Sequence, residues 1–198
     1  MNGVRARPPR RMPPARRREH LVAVAVRLYG QRSPEQVSVE DVTRAADVSR
    51  ALFYRYFACL DDLRAAALGA VAAELVGRVS LPADGPLPDR LRSAITAFLD
   101  VVGRHAPAYV ALLRSGSVIS TGETDALLDG VRAHMLALLT DRVPGAENPL
   151  VAMTLRGWVG LVEGASLAWL QERTVPRAVL VEWLAGQLTA MLDATARL

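Results

Sequence analysis

Apolar residues recur three or four positions apart along most of the chain, which is the spacing of one face of an α-helix. About nine segments show this spacing, and runs rich in proline, glycine and small polar residues separate them. No segment alternates apolar and polar residues in the way that a half-buried β-strand does. The pattern therefore predicts an all-α fold of about nine helices.

The breaks between segments set the predicted boundaries. Residues 81–88 hold three prolines and a glycine, residues 115–122 form a Ser/Gly/Thr loop, and residues 144–149 make another break. The predicted helices are Arg16–Tyr29, two short helices within Ser38–Phe57, a helix over residues 61–80, and then Asp89–His105, Pro107–Arg114, Glu123–Val143, Leu150–Arg173 and Arg177–Leu198.

The segment Ser38–Phe57 predicts two short helices joined by a tight turn. Ser38 and Asp41 have the spacing of a capping box, and Ser49 is a suitable cap for the second helix. Asp47 falls in the turn, where aspartate tolerates left-handed geometry. The outward face of the second helix would carry residues that suit a DNA major groove, with arginines for phosphate or guanine and tyrosine hydroxyls for phosphate. These residues are Arg50, Ala51, Leu52, Tyr54, Arg55 and Tyr56.

Residues 46–57, ADVSRALFYRYF, resemble the helix-turn-helix of the TetR (tetracycline repressor) family. The resemblance covers roughly residues 16–65 and departs from the family pattern at three positions. Asp47 replaces the usual turn glycine, Leu52 stands where a small or hydroxylated residue is common, and Leu60 replaces a phosphate-binding lysine.

The resemblance implies a three-helix DNA-binding head at residues 16–62 and a ligand-binding, dimerising body at residues 63–198. It also implies a DNA-binding transcriptional regulator, most simply a repressor released by a small hydrophobic ligand. A dimer would place two recognition helices about 34–36 Å apart and would need a near-palindromic double-stranded operator. The residues expected to contact DNA are Arg16, Arg17, Ser38, Arg44, Ser49, Arg50, Ala51, Leu52, Tyr54, Arg55 and Tyr56.

The charge distribution agrees with a nucleic-acid-binding head. Residues 1–64 contain 13 arginines and 7 acidic residues, whereas residues 65–198 contain 11 arginines and 13 acidic residues. Residues 1–15 combine four arginines with four prolines and predict a flexible basic arm. The arm is either a tether to DNA or a solvated tail, and the sequence favours neither.

The last two predicted helices carry the expected homodimer interface. Small residues on one helix suggest the close approach of another backbone, and a wide apolar face on the other suggests a four-helix contact with a second copy. The alternative is that both faces belong to the core of one chain. The expected interface residues are Gly157, Gly160, Gly164, Ala168, Leu180, Trp183, Leu184, Gln187, Leu188 and Met191.

We expect a mostly apolar ligand pocket inside the body, enclosed by the helices between residues 89 and 173. Scarce aromatic residues, adaptable methionines and two histidines are the candidates for its walls, namely Phe98, His105, Tyr109, His134, Met135, Met153 and Trp158. Glu163 would favour a cationic ligand only if it faced inward, and a solvated or dimer-paired glutamate is the simpler interpretation. The expected ligand is therefore neutral and largely hydrophobic.

Other chemistry finds little support in the sequence. The three histidines lack metal-ligand spacing, no phosphate-binding or nucleophile motif occurs, and neither a metal nor a cofactor nor an enzymatic activity is expected. The single cysteine, Cys59, and the lack of a signal peptide or long apolar run favour a cytoplasmic protein without a membrane span; Ala65–Val76 comes closest to one. A helical carrier or enzyme with a basic surface and a membrane-surface protein remain alternatives.

Overall fold

The computed structural model describes residues 13–113 and 122–197, and within them the chain forms nine α-helices and one short 3₁₀ helix, with no strand. The predicted all-α fold is therefore confirmed. The helices are α1 (Pro14–Tyr29), α2 (Val39–Ala46), α3 (Arg50–Tyr56), α4 (Leu60–Arg78), α5 (Leu87–Arg104), α6 (Ala106–Leu113), α7 (Gly122–Thr140), α8 (Pro149–Glu172) and α9 (Arg177–Thr195), and the 3₁₀ helix is Pro34–Gln36.

The helix ends differ from the predicted ones by up to three residues. α1 begins at Pro14, inside the predicted arm, because proline is well suited to the first turn of a helix. α5 begins at Leu87 with Pro88 in its first turn for the same reason. The remainder of the predicted arm, residues 1–12, and the predicted loop at residues 115–121 lie outside the described residues.

The first core cluster belongs to the head and gathers the inner faces of α1, α2 and α3 around the N-terminal half of α4. Leu21, Ala25, Tyr29, Phe53 and Leu63 are all fully buried in it. Apolar residues on three short helices thus share one centre, and burial of large side chains of this kind is the main force that holds them together.

The second core cluster belongs to the body and lies between α5, α8 and α9, with α7 packed on its side. Leu91, Leu155, Leu184 and Leu188 have no exposed surface. The indole N–H of Trp158 donates to the carbonyl of Leu184 at 2.9 Å, so the polar edge of this ring is satisfied inside the core.

Two helices connect the clusters. α4 contributes Leu68 to the head cluster and, two turns later, Leu75 to the body cluster. α6 belongs to the body by its place in the chain, yet its Ala108 and Ala111 are buried in the head cluster. A Cβ on Gly30 would lie 3.1 Å from the carbonyl oxygen of Arg104, so the end of α1 also approaches the end of α5 closely.

α8 has an apolar outer face that the chain does not cover. It is long and apolar enough to cross a membrane by length and composition, although we expected the closest match at Ala65–Val76. Only 22% of its most apolar window is buried, and the buried residues, such as Leu155 and Val162, belong to the body core. A core helix of a soluble protein passes the same test, and here the apolar excess lies on the outer face.

Candidate DNA-binding surface and internal cavity

A capping box fixes the start of α2. The backbone N–H of Asp41 donates to the Ser38 hydroxyl oxygen at 3.2 Å, and the backbone N–H of Ser38 donates to the Asp41 carboxylate at 3.0 Å. The bond from the Ser38 backbone N–H, together with the bonds from the Ser38 hydroxyl and Arg32, lowers the pKa of Asp41 to about 2. The negative charge of Asp41 is therefore kept at a helix N-terminus, where it is favourable.

The turn and the second cap orient α3. Asp47 adopts the left-handed conformation with φ 51° and ψ 53°, as the sequence predicts. The Ser49 hydroxyl accepts a bond from the backbone N–H of Leu52 at 3.2 Å and so caps α3. Phe53 and Phe57 are buried beneath it, which leaves the opposite side of α3 in solvent.

Most of the residues expected at the DNA are exposed. Arg16, Arg44, Ser49, Arg50, Ala51, Tyr54 and Arg55 are exposed, whereas Arg17, Ser38, Leu52 and Tyr56 are half-buried. Arg50 is held by Glu40 at 2.5 Å and lies over the ring of Tyr54. Arg55 forms no ion pair with any described residue, so its guanidinium is available to a phosphate or a guanine.

Two of the expected contacts are less suited to DNA than the sequence suggests. The Ser38 hydroxyl donates its proton to Asp41 at 2.8 Å, so it has no proton left for a phosphate oxygen. Tyr56 packs against the head core, which makes its ring partly structural.

The body contains a partly open apolar cavity of about 110 Å³. Its wall includes Phe98, His105, Tyr109, Met135 and Trp158, so the structure brings together five of the seven residues expected at a pocket. Two expectations are wrong. Met153 is 66% exposed on the outer side of α8, and His134 lies on a side of α7 that does not line the cavity.

α4 supplies a part of the cavity wall that the sequence did not predict. Leu68, Val71, Ala72 and Leu75 line the cavity from this helix. Their spacing of i, i+3, i+4 and i+7 is the signal for a buried helical face, but it does not reveal whether that face meets a core or a cavity.

Charged groups at the cavity wall are already paired. Glu163 lines the cavity but accepts bonds from Arg132 at 2.9 and 3.0 Å, which raise the pKa of Arg132. Glu74 on α4 lies behind the wall residue His105: it accepts from Arg104 at 2.6 Å and lies 3.1 Å from Nε2 of His105. Burial opposes ionisation of Glu74, but these bonds outweigh it and lower its pKa.

The residues expected at a dimer interface divide into three groups, which are exposed, buried and half-buried. Gly157, Gly160, Gly164 and Ala168 form an exposed line along α8, and Trp183 on α9 is 45% exposed. Leu180, Leu184 and Leu188 are buried, so their assignment to an interface is wrong: this face of α9 packs against α5 and α8 of the same chain. Gln187 and Met191 are half-buried, and the exposed line of α9 consists of Val179, Trp183, Gly186 and Ala190.

Two family models match the chain over most of its length. The model for bacterial regulatory proteins of the tetR family matches residues 21–67, and the model for the tetracyclin repressor-like C-terminal domain matches residues 87–191. The chain belongs to the TetR family. This TetR-family protein is a DNA-binding transcriptional regulator, as the helix-turn-helix resemblance implies, and a response to ligands is typical of the family.

Individual proteins that resemble this chain support the same family assignment. A tetR-family transcriptional regulator from Streptomyces coelicolor shares 34% identity and superposes with a TM-score of 0.89, covering 94% of this chain and 84% of that one. An HTH-type transcriptional regulator of Mycobacterium tuberculosis is 30% identical over 143 residues, which is 71% of this chain and 69% of the relative. A putative transcriptional regulator from Pseudomonas aeruginosa, at 20% identity and a TM-score of 0.74, shares the fold and covers 94% of this chain and 96% of its own.

Proposed function

We propose that this TetR-family regulator is a cytoplasmic homodimeric repressor that leaves a near-palindromic operator when a small, mostly apolar molecule enters the body cavity. Arg44, Arg50 and Arg55 face the DNA in this proposal, and the two copies of α3 enter successive major grooves. Arg50 exchanges its bond to Glu40 for a bond to DNA, whereas Arg55 is free to bind at once.

The uncovered faces of α8 and α9 support the homodimer. Nothing lies within 4 Å of a Cβ built on Gly160 or Gly164, so neither glycine is required by the packing of its own chain. A glycine inside a helix costs about 1 kcal/mol relative to alanine. Close approach of the same helix from a second copy would explain why glycine stands at these positions. The same contact would also cover Trp183 and Val179.

The observation that carries the regulatory mechanism is the double role of α4. Leu68 packs in the head core and also lines the cavity, and Val71, Ala72 and Leu75 continue the cavity wall along the same helix. A rigid helix that is part of both structures transmits a displacement of the wall to the head. Displacing the heads of a dimer changes the spacing of the recognition helices, on which operator binding depends.

The small volume of the cavity explains why a bound ligand would displace its walls. Pockets for drug-sized ligands measure about 300–1,000 Å³, and this cavity has about 110 Å³. A drug-sized ligand is larger than this cavity, so it would displace the cavity walls. α4 forms one of these walls. The resulting shift in operator affinity equals the difference between the ligand's affinities for the two arrangements.

A ligand-free experiment tests this mechanism. Ala72→Phe places a ring in the cavity from α4, and Ala73→Phe places the same ring on the exposed side of the next residue as a matched control. Operator sequences selected from random DNA are labelled, and affinity is measured by fluorescence anisotropy at fixed salt. Overfilling a core costs about 1–3 kcal/mol, so Ala72→Phe should weaken operator binding by up to about a hundredfold, and Ala73→Phe should leave it unchanged.

A second variant guards against simple misfolding. Ala94→Phe fills the same cavity from α5, and circular dichroism melts identify any variant that has lost its fold. Operator binding equal to the parent in both folded cavity variants would overturn the mechanism. If the parent protein selects no sequence from random DNA, the proposed repressor function itself is wrong.

A further inference from the structure

Two buried hydrogen-bonding atoms on residues of the cavity wall have no protein partner. They are the hydroxyl of Tyr109 and Nδ1 of His105. His105 is only 8% exposed and caps the end of α5, and Tyr109 follows one helical turn later, with its backbone N–H bonded to the His105 carbonyl at 2.9 Å. Buried polar atoms are nearly always satisfied, so this pair on the cavity wall is available to a hydrogen-bonding group of a ligand.

The surroundings fix what each atom offers. Nε2 of His105 faces a carboxylate oxygen of Glu74, which only accepts, so Nε2 carries the proton. With the proton on Nε2, the neutral ring offers Nδ1 as a hydrogen-bond acceptor. The Tyr109 hydroxyl can donate. The cavity therefore presents one acceptor and one donor on neighbouring turns.

A charged ligand group would find no counter-ion at this wall. Arg132 is bound by Glu163 and Asp129, and Arg104 is bound by Glu74, so neither guanidinium is free for a ligand carboxylate. The carboxylate at the wall, Glu163, and the nearby carboxylate of Glu74, which contacts the wall residue His105, are likewise occupied and offer nothing to an ammonium group. Desolvating an unpaired charge here would be far costlier than desolvating a neutral group.

We propose that the cavity binds an uncharged apolar molecule that carries a hydroxyl group, which donates to Nδ1 of His105 and accepts from the Tyr109 hydroxyl. A hydroxyl combines a donor with acceptor lone pairs in one neutral group, which is what the two atoms require. This inference rests on the proposed function, in which the cavity is the effector site, and it names the chemistry of the effector.

An engineered cavity of about 150 Å³ holds a benzene ring in another protein. Single-ring probes are therefore small enough to enter this partly open cavity of about 110 Å³ with only a modest displacement of its walls. Four probes share the ring and differ only in the group attached: benzyl alcohol, toluene, benzoate and benzylammonium. Calorimetry and the rise in melting temperature measure their binding to the full-length protein. Benzyl alcohol should bind most tightly, and the two charged probes most weakly.

Tyr109→Phe removes the donor without changing the ring. It should weaken the binding of benzyl alcohol by about three- to tenfold, which corresponds to the loss of one hydrogen bond. The affinity for toluene should not change. Tyr29→Phe makes the same change on a fully buried tyrosine of the head, away from the cavity, and should alter neither affinity.

Three results would overturn the proposal: toluene binding as tightly as the alcohol, unchanged alcohol affinity in Tyr109→Phe, or no binding of any probe. Operator binding by the same parent sample separates this failure from that of the repressor mechanism. If Ala72→Phe still weakens operator binding while the alcohol preference is absent, only the chemistry assigned to the effector is wrong.

Discussion

Replacing Gly160 by leucine should separate the proposed homodimer into folded monomers. Gly160 lies in the middle of α8, is exposed, and has no atom within 4 Å of a built Cβ. Within one chain a leucine at this position meets only solvent. Because it replaces a helical glycine, it should stabilise the monomer by up to about 1 kcal/mol.

The effect on the dimer has the opposite sign. Across a two-fold interface the substitution occurs in both copies, so the close contact is overfilled twice. At about 1–3 kcal/mol for each overpacked side chain, the dimer loses about 2–6 kcal/mol. That loss raises the dimer dissociation constant by about 30-fold to more than 10⁴-fold.

Sedimentation velocity over a range of micromolar concentrations gives the dissociation constant, and circular dichroism melts give the stability of the monomer. Gly130→Leu is the matched control, because Gly130 is also helical, exposed and without atoms within 4 Å, but lies on α7. A Gly160→Leu protein that dimerises as tightly as the parent would refute the assignment of α8 to the interface. An unfolded variant would refute the claim that this side of α8 is free within one chain.

Four further predictions concern the head. Arg55→Ala should weaken operator binding by about 1–3 kcal/mol if the side chain reads a guanine, or lower the salt slope by about one unit if it holds a phosphate; binding equal to the parent at all salt concentrations would exclude both roles. Ser38→Ala should lower the free energy of unfolding by about 1 kcal/mol through loss of the α2 cap, measured by urea denaturation. Because the pKa of Asp41 falls from 3.8 to about 2 on folding, its contribution to stability should be complete above about pH 4 and disappear as the pH falls toward 2, and Asp41→Asn should remove this pH dependence. Asp47→Val should cost about 1–2 kcal/mol in the same denaturation assay, because a β-branched residue resists the left-handed conformation; an unchanged midpoint would show that the turn relaxes.

The head was largely predictable because its signals are local. The caps at Ser38 and Ser49, the left-handed Asp47 and the buried pair Phe53 and Phe57 depend on residues only a few positions apart. Each signal follows from backbone geometry that the neighbouring residues determine, so the sequence alone was sufficient.

The body was less predictable because its helices are apolar on more than one side. On α9, Leu184 faces the core of its own chain, whereas the adjacent residue Trp183 faces outward. In the sequence, both residues belong to a single wide apolar face of the helix. From this periodicity alone, we expected Leu180, Leu184 and Leu188 at an interface between two copies. The pattern of a helix shows which residues avoid water, but only the fold shows which neighbour covers them.

α6 makes the head of this regulator an incomplete unit. Ala108 and Ala111 complete the hydrophobic centre of a domain whose other members all lie before residue 69, apart from the half-buried Leu112 and Leu127 that pack against it. A fragment that ends after α4 would expose the surface that these alanines cover. Exchange of DNA-reading modules between regulators of this family must therefore preserve the fit between a head and the α6 that it receives, and chimaeras joined within the residue 79–86 segment should require matching at residues 108 and 111 to regain stability.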